Sequence, residues 1–312
     1  MCLPKFHPFT MINLLVFAAI IAVGCSDDKP TQSSQLGWVS LGAGMDNHVY
    51  ALTVYDNKLI AGGGITTAGG VSANNIAAWD GSSWTPLGTG TNAYINDFTF
   101  YGNKLITGGA FSIAGGVNAE CIAAWDGSSW TPLGTGINHF VLALTVYDNK
   151  LIAGGDFTIA GGVSANNIAA WDGSSWAPLG TGMNNSVYAL TVYDNKLIAG
   201  GFFTTAGGVN ATRIAAWDGS SWTSLGTGMN YQVRSLALYD NKLIAGGLFT
   251  TAGGESANRI AAWNGSSWTP LMTGLDSMVY ALTVYGDNLI AGGRFNTAGG
   301  VNTERIAAWG PK

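Results

Sequence analysis

The side chains best suited to chemistry in this sequence are few and unevenly placed. All five arginines, Arg213, Arg234, Arg259, Arg294 and Arg305, fall in the last third of the 312 residues. A guanidinium presents a rigid fork of donors to carboxylate or phosphate groups. At related places in a repeating pattern stand His48, Tyr94, His139, Phe140, Tyr231 and Gln232, whose rings and amide suit stacking and hydrogen bonding. Such a mixture is what recognition surfaces use. Transition-metal sites are commonly built from clustered His and Cys, and beyond residue 25 the imidazoles and thiols are only His48, His139 and Cys121. The sequence therefore predicts no metal and no cofactor. On the face where copies of the repeat differ, the acid–base candidates are Asp97, Asp156, Glu255 and Glu304.

What must position these residues is a repeat. Trp38, Trp84, Trp130, Trp176, Trp222 and Trp268 recur every 46 residues, and Trp79, Trp125, Trp171, Trp217, Trp263 and Trp309 form a second series at the same interval. Periods of 40 to 50 residues mean propeller blades or solenoid coils. Within one copy, VYALTVY (Val187 to Tyr193) reads as strand a, Asp194-Asn195 as a two-residue turn and KLIAGG as strand b. FFTTAGGVNATR is then a longer connection, IAAW strand c, DGSS a tight turn and WTSLG strand d. The predicted fold is all-β, a six-bladed β-propeller of four-stranded blades, with a β-solenoid as the alternative.

The sequence ends on RIAAWG, a strand c without its d, and GWVSLG (residues 37–42) is a strand d without its c. Pairing the two is expected to complete the sixth blade and close the ring. Trp38 to Lys312 spans 275 residues, one short of six intervals. The propeller is assigned to residues 37–312.

Ahead of it, Met11 to Val23 is an apolar run too short to span a membrane, and it ends AVGC, Ala22 to Cys25. Small residues before a Cys resemble the lipobox of bacterial lipoproteins. The resemblance implies a signal peptide over residues 1–24, lipidation of Cys25, a flexible tether over residues 25–36 and an outer-membrane location in the cell envelope, with the lipid as the only membrane contact. Cys121 is then left alone, so no disulfide framework is expected. Losing Lys5 takes the formal net charge from −5 to −6. This excludes nucleic acid as a partner.

LIAGG followed by AAWDGSSW, as at Leu151 to Gly155 and Ala169 to Trp176, resembles the kelch motif, in which a double glycine ends strand b and an aromatic pair brackets the c-to-d turn. Trp171 and its equivalents stand where kelch repeats usually carry Tyr. The resemblance implies the propeller fold and no particular activity. The tryptophans are expected to pack between sheets, and Asp80, Asp126, Asp172 and Asp218 to hold turns. AGGGITTAGG (Ala61 to Gly70) lacks the helix and Lys of a phosphate-binding loop.

Copies differ almost entirely on the face carrying the b-to-c and d-to-a connections. His48, Tyr94, His139, Phe140, Tyr231 and Gln232 lie in a column pair at the start of strand a, and Arg234 follows closely in its blade. Arg294 belongs to a column after the double glycine, and Arg213, Arg259 and Arg305 to one before strand c. The expected function is non-catalytic binding of a glycan, peptide or protein at this face by a monomer; loop drift is the bland alternative. Kelch-like propellers include sugar-acting enzymes of sialic-acid type, which the resemblance leaves as a second reading. A multivalent lectin is a third, and would use repeated residues such as Asn57, Ser82 and Ser83 on the opposite face.

Overall fold

The computed structural model describes residues 40–311. The expected signal peptide, Cys25, the tether and the start of the residue 37–42 strand lie outside them. In the first copy, β-branched and aromatic residues favour extended backbone in β1 (Val49–Tyr55). Asp56 and Asn57 both take positive φ, 49° and 57°, and close a two-residue hairpin into β2 (Lys58–Gly63). The longer connection between strands b and c holds a two-stranded ribbon, β3 (Thr67–Ala68) against β4 (Val71–Ser72), with Gly69 and Gly70 at its tip in the left-handed region. After β5 (Ile76–Trp79) and β6 (Trp84–Pro86) the copy is complete, and its main sheet runs β1-β2-β5-β6, antiparallel throughout.

The same pattern recurs through every copy. The first strands of successive sheets lie against one another, which makes them the inner strands of a six-bladed β-propeller with four-stranded blades. In the sixth blade, three main strands, Val279–Tyr285, Asn288–Gly293 and Ile306–Trp309, fall among the described residues. The expected fourth strand and the ring-closing pairing involve residues outside them. Among the described residues, the faces that pairing would cover are open: Ile306 is 52% exposed where its equivalent Ile260 is 3%. Val49 is likewise exposed, while Ile95 and Val141 are fully buried.

Close approach explains the double glycine, to the next blade at the first glycine and to the blade's own first strand at the second. A Cβ on Gly154 would lie 2.6 Å from Val187 Cγ1 of the next blade, and one on Gly155 would lie 2.0 Å from the Phe140 carbonyl oxygen. Trp171 and Trp176 pack between sheets as expected, in one cluster with Ile106 and Ile122 of the preceding blade, whereas Trp309 is 41% exposed and Trp38 lies outside the described residues. Trp171 and Trp176 meet at a tilt with ring centroids 5.4 Å apart, and Trp176 Nε1–H donates to the Leu133 carbonyl of the preceding blade at 3.0 Å.

One copy breaks a backbone rule. Gly88, Gly134, Gly180 and Gly226 sit at φ near 60°, but the equivalent residue before the sixth blade is Met272, at φ 50° and exposed. A side chain there costs about 1–2 kcal/mol, partly offset by the entropy glycine would lose on folding. Met272→Gly is expected to stabilise by up to about 1 kcal/mol, read as a higher denaturant midpoint at unchanged slope.

Candidate functional site

Each d-to-a loop is pinned to the ribbon of the blade that follows it. Met183 bridges to Ala206, and the Asn184 side-chain oxygen accepts the Thr204 and Thr205 amides at 2.8 and 3.0 Å. Asn92, Asn138 and Asn230 do the same in their blades. Asp46 serves the first, where the Thr66 hydroxyl and the Thr66 and Thr67 amides lower its pKa to about 2. These brackets make a firm floor under the variable face. The sequence reading missed them because Asn and Asp in a loop look like ordinary turn residues.

The opposite face is occupied by its own turns. Asp80 Oδ1 accepts the Ser82 amide, the Ser82 hydroxyl and the Ser83 amide, each at 2.8 Å, which holds its carboxylate well below the usual range. Asp126, Asp172 and Asp218 repeat the arrangement. Ser82 and Ser83, considered for a repeated sugar site, thus serve the turn, and Asn57 lies in the β1–β2 hairpin at positive φ.

On the variable face the expected residues form separate groups. Between the first and second blades, the His48 and Tyr50 rings stack at 6.1 Å, and Tyr94, 54% exposed, meets Tyr50 edge-on at 6.2 Å. In the third, His139 packs on Phe140 at 4.1 Å and its Nδ1 lies 3.7 Å from Asp156 Oδ2. At the fourth and fifth, Arg213 lies over the Phe202 ring at 4.4 Å, and Tyr231 meets Phe202 at 5.5 Å. Arg234 covers Tyr188 at 4.0 Å while its Nε–H donates to Gln232 Oε1 at 2.7 Å. Phe202 and Tyr188 were not among the chosen residues, although both stand in the variable columns.

The last group is a cleft of about 380 Å³ between the fifth and sixth blades, lined by Leu248, Arg259, Ser277, Met278, Arg294 and Arg305. It gathers three of the five arginines. Glu255 and Glu304, near Arg259 and Arg305 in sequence, make no ion pair with them: among the described residues, no arginine has a carboxylate within 4.0 Å.

The column before strand c has a backbone feature that composition hides. Asn75, Cys121, Asn167, Arg213, Arg259 and Arg305 all have positive φ, from 58° to 80°. Asn tolerates this region, and the Asn75 and Asn167 side-chain amides donate to the Thr91 and Met183 carbonyls at 2.8 Å. Arg259 holds the same backbone without that bond. Its Nη1 donates to the Leu248 and Phe249 carbonyls at 2.7 and 3.3 Å, and its buried Nε has no partner. Arg213 donates likewise to the Phe202 and Phe203 carbonyls, and burial lowers its pKa. Cys121 is buried there, with its thiol pushed up to about 11, chiefly by burial.

Asp97 is not presented to this face as an acid or base. Its carboxylate accepts the Phe98 amide at 2.8 Å and the Leu144 amide of the third blade's inner strand at 2.7 Å, so it bridges two blades. Burial pushes its pKa up to about 7 against the lowering effect of those two amides. Among the described residues, no three His, Cys, Asp or Glu side chains converge as a metal site requires.

Three stretches of the chain, residues 148–169, 194–215 and 240–261, match a family described as a β-propeller domain of unknown function, DUF5122. Each runs from the a-to-b turn to the start of strand c. No curated protein matches the chain. Among solved structures, it is similar to a crystal structure of the computationally designed Ika8 protein, with a TM-score of 0.55 and 18% identity over 86% of this chain and 73% of that one. That likeness is one of fold.

Proposed function

We propose that the protein is a kelch-like, non-catalytic binding module, held in the cell envelope by a lipid on Cys25 and presenting its variable face to a glycan, peptide or protein. The observation that carries this reading is the contrast between faces. One face repeats the same turns, whose polar groups hydrogen-bond one another. The other sets unlike aromatic and guanidinium groups side by side on a floor braced by loop-to-ribbon hydrogen bonds. Rigid support under exposed aromatic and cationic side chains favours specific contact. Six unlike blades suit one asymmetric ligand, and the reading takes the protein as a monomer with no cofactor and no nucleic-acid partner.

The full chain, with its first 25 residues replaced by a tag, is expected to bind a restricted set of targets on glycan and envelope-protein arrays with about one ligand per chain. Arg234→Ala combined with Arg294→Ala is expected to lose that binding. Equal binding by the double variant removes the reading, and about six ligands per chain replaces it with a multivalent lectin.

A further inference from the structure

We propose that the cleft between the fifth and sixth blades is an oxyanion site that takes the carboxylate or sulfate ester of a single sugar unit in an acidic glycan. The proposal rests on the variable face being the binding face and names the chemistry of one part of it. Arg259, Arg294 and Arg305 converge on one cleft in a chain whose formal net charge is −5, and among the described residues no carboxylate neutralises them. Uncompensated like charges repel, and among the described residues no carboxylate offsets their grouping. A bound oxyanion supplies the offsetting charge.

The backbone adds an independent reason. Arg259 and Arg305 hold φ of 68° and 80°, where Asn in the first and third blades rests with less strain and anchors the adjacent loop. Arginine at this position gives up the loop anchor and brings a charge. Arg259 is braced by two backbone carbonyls, which leaves Nη2 without a partner among the described residues, and neither Arg294 nor Arg305 spends its side chain on a hydrogen bond there. One guanidinium is fixed and two are available, which suits a small, multiply accepting group.

Size and edges favour a saccharide over a peptide. A volume of about 380 Å³ sits at the small end of ligand sites and accommodates one monosaccharide-sized group. Peptides captured on β-proteins commonly add to a free strand edge. The two ribbons that follow Leu248 and Arg294 offer no such edge, Thr251–Ala252 being paired with Glu255–Ser256 and Thr297–Ala298 with Val301–Asn302; the outer edge of Ile306–Trp309, after Arg305, is unpaired among the described residues, and the poly-glutamate probe decides whether a peptide uses it.

The test uses the tagged full chain with four probes: polygalacturonate, dextran sulfate, neutral dextran and poly-glutamate. One of the two acidic polysaccharides is expected to bind with an affinity that falls as salt rises, and which one tells carboxylate from sulfate. Neutral dextran is expected not to bind. Arg294→Gln and Arg305→Asn are each expected to weaken binding about tenfold or more. Arg305→Asn places at that φ the residue the first and third blades use, so loss of binding with an unchanged or higher melting temperature separates recognition from folding. Unchanged affinity in the double variant, or binding insensitive to salt, overturns the proposal, and poly-glutamate binding as tightly overturns its saccharide part. If neither acidic polysaccharide binds while the arrays still give an arginine-dependent target, the oxyanion-sugar assignment falls and the binding face stands.

Discussion

Trp176→Ala is expected to destabilise the protein by about 3–5 kcal/mol, the range for removing a large aromatic from a packed interior. The indole is buried and packs against Trp171, and its Nε1–H ties the third blade's sheet to the Leu133 carbonyl of the blade before. Truncation opens a cavity, and it also leaves that carbonyl without its partner. Trp176→Phe keeps much of the volume and loses the donor, so it is expected to cost less, by an amount that isolates the hydrogen bond and the missing ring. Denaturant unfolding of both variants checks the order. A Trp176→Ala loss below about 1 kcal/mol contradicts the packing described.

The second large effect concerns Asp97 and acidity. Its carboxyl is raised from the ordinary aspartate range, about 4, to about 7 in the folded chain. Between those values the unfolded chain releases a proton that the folded chain keeps, so this group makes stability fall as pH rises from about 4 to about 7. Integrated over that window, the loss is on the order of 2–4 kcal/mol. Asp97→Ala installs the residue found at the equivalent positions 51, 143, 189 and 281. It is expected to flatten that part of the profile, with the variant gaining on the parent at pH 7.5 relative to pH 4.5. Asp46 and Asp80 act in the opposite sense, since their carboxylates are held low by hydrogen bonds: their contribution is present above about 4 and lost on acidification below it. Comparing parent and variant cancels these groups. Superimposable pH profiles contradict the buried-carboxylate assignment.

Blade architecture was open to reading from sequence because its causes are local and repeated. Apolar alternation marks β1, the Asp56-Asn57 pair marks a turn that demands positive φ, and the constant Trp84 to Trp130 spacing sets the blade. The β3–β4 ribbon was missed because two-residue strands leave no alternation to detect; the Gly69-Gly70 pair, a turn signal, was the clue available. The site was legible only as columns. That Arg294 and Arg305 line one cleft with Arg259 depends on side-chain paths across a blade boundary, which spacing does not encode. The positive φ of Arg259 could have been inferred from Asn75 and Asn167, since Asn at the same place in two copies signals a left-handed backbone. Asp97 was chosen for its charge, while its role follows from the neighbouring strand's amide, which lies 47 residues away in sequence.

The packing of each blade's first strand on the next has a kinetic consequence. Each blade is gripped mainly by its immediate neighbours, so cooperativity is transmitted stepwise, as in linear repeat arrays. Amide deuterium uptake in the native state should therefore be slowest in strands of blades packed on both sides, such as Lys150–Gly155 and Lys196–Gly201. The arginine cleft is lined by residues of both the fifth and the sixth blade, so an occupant would slow opening between them.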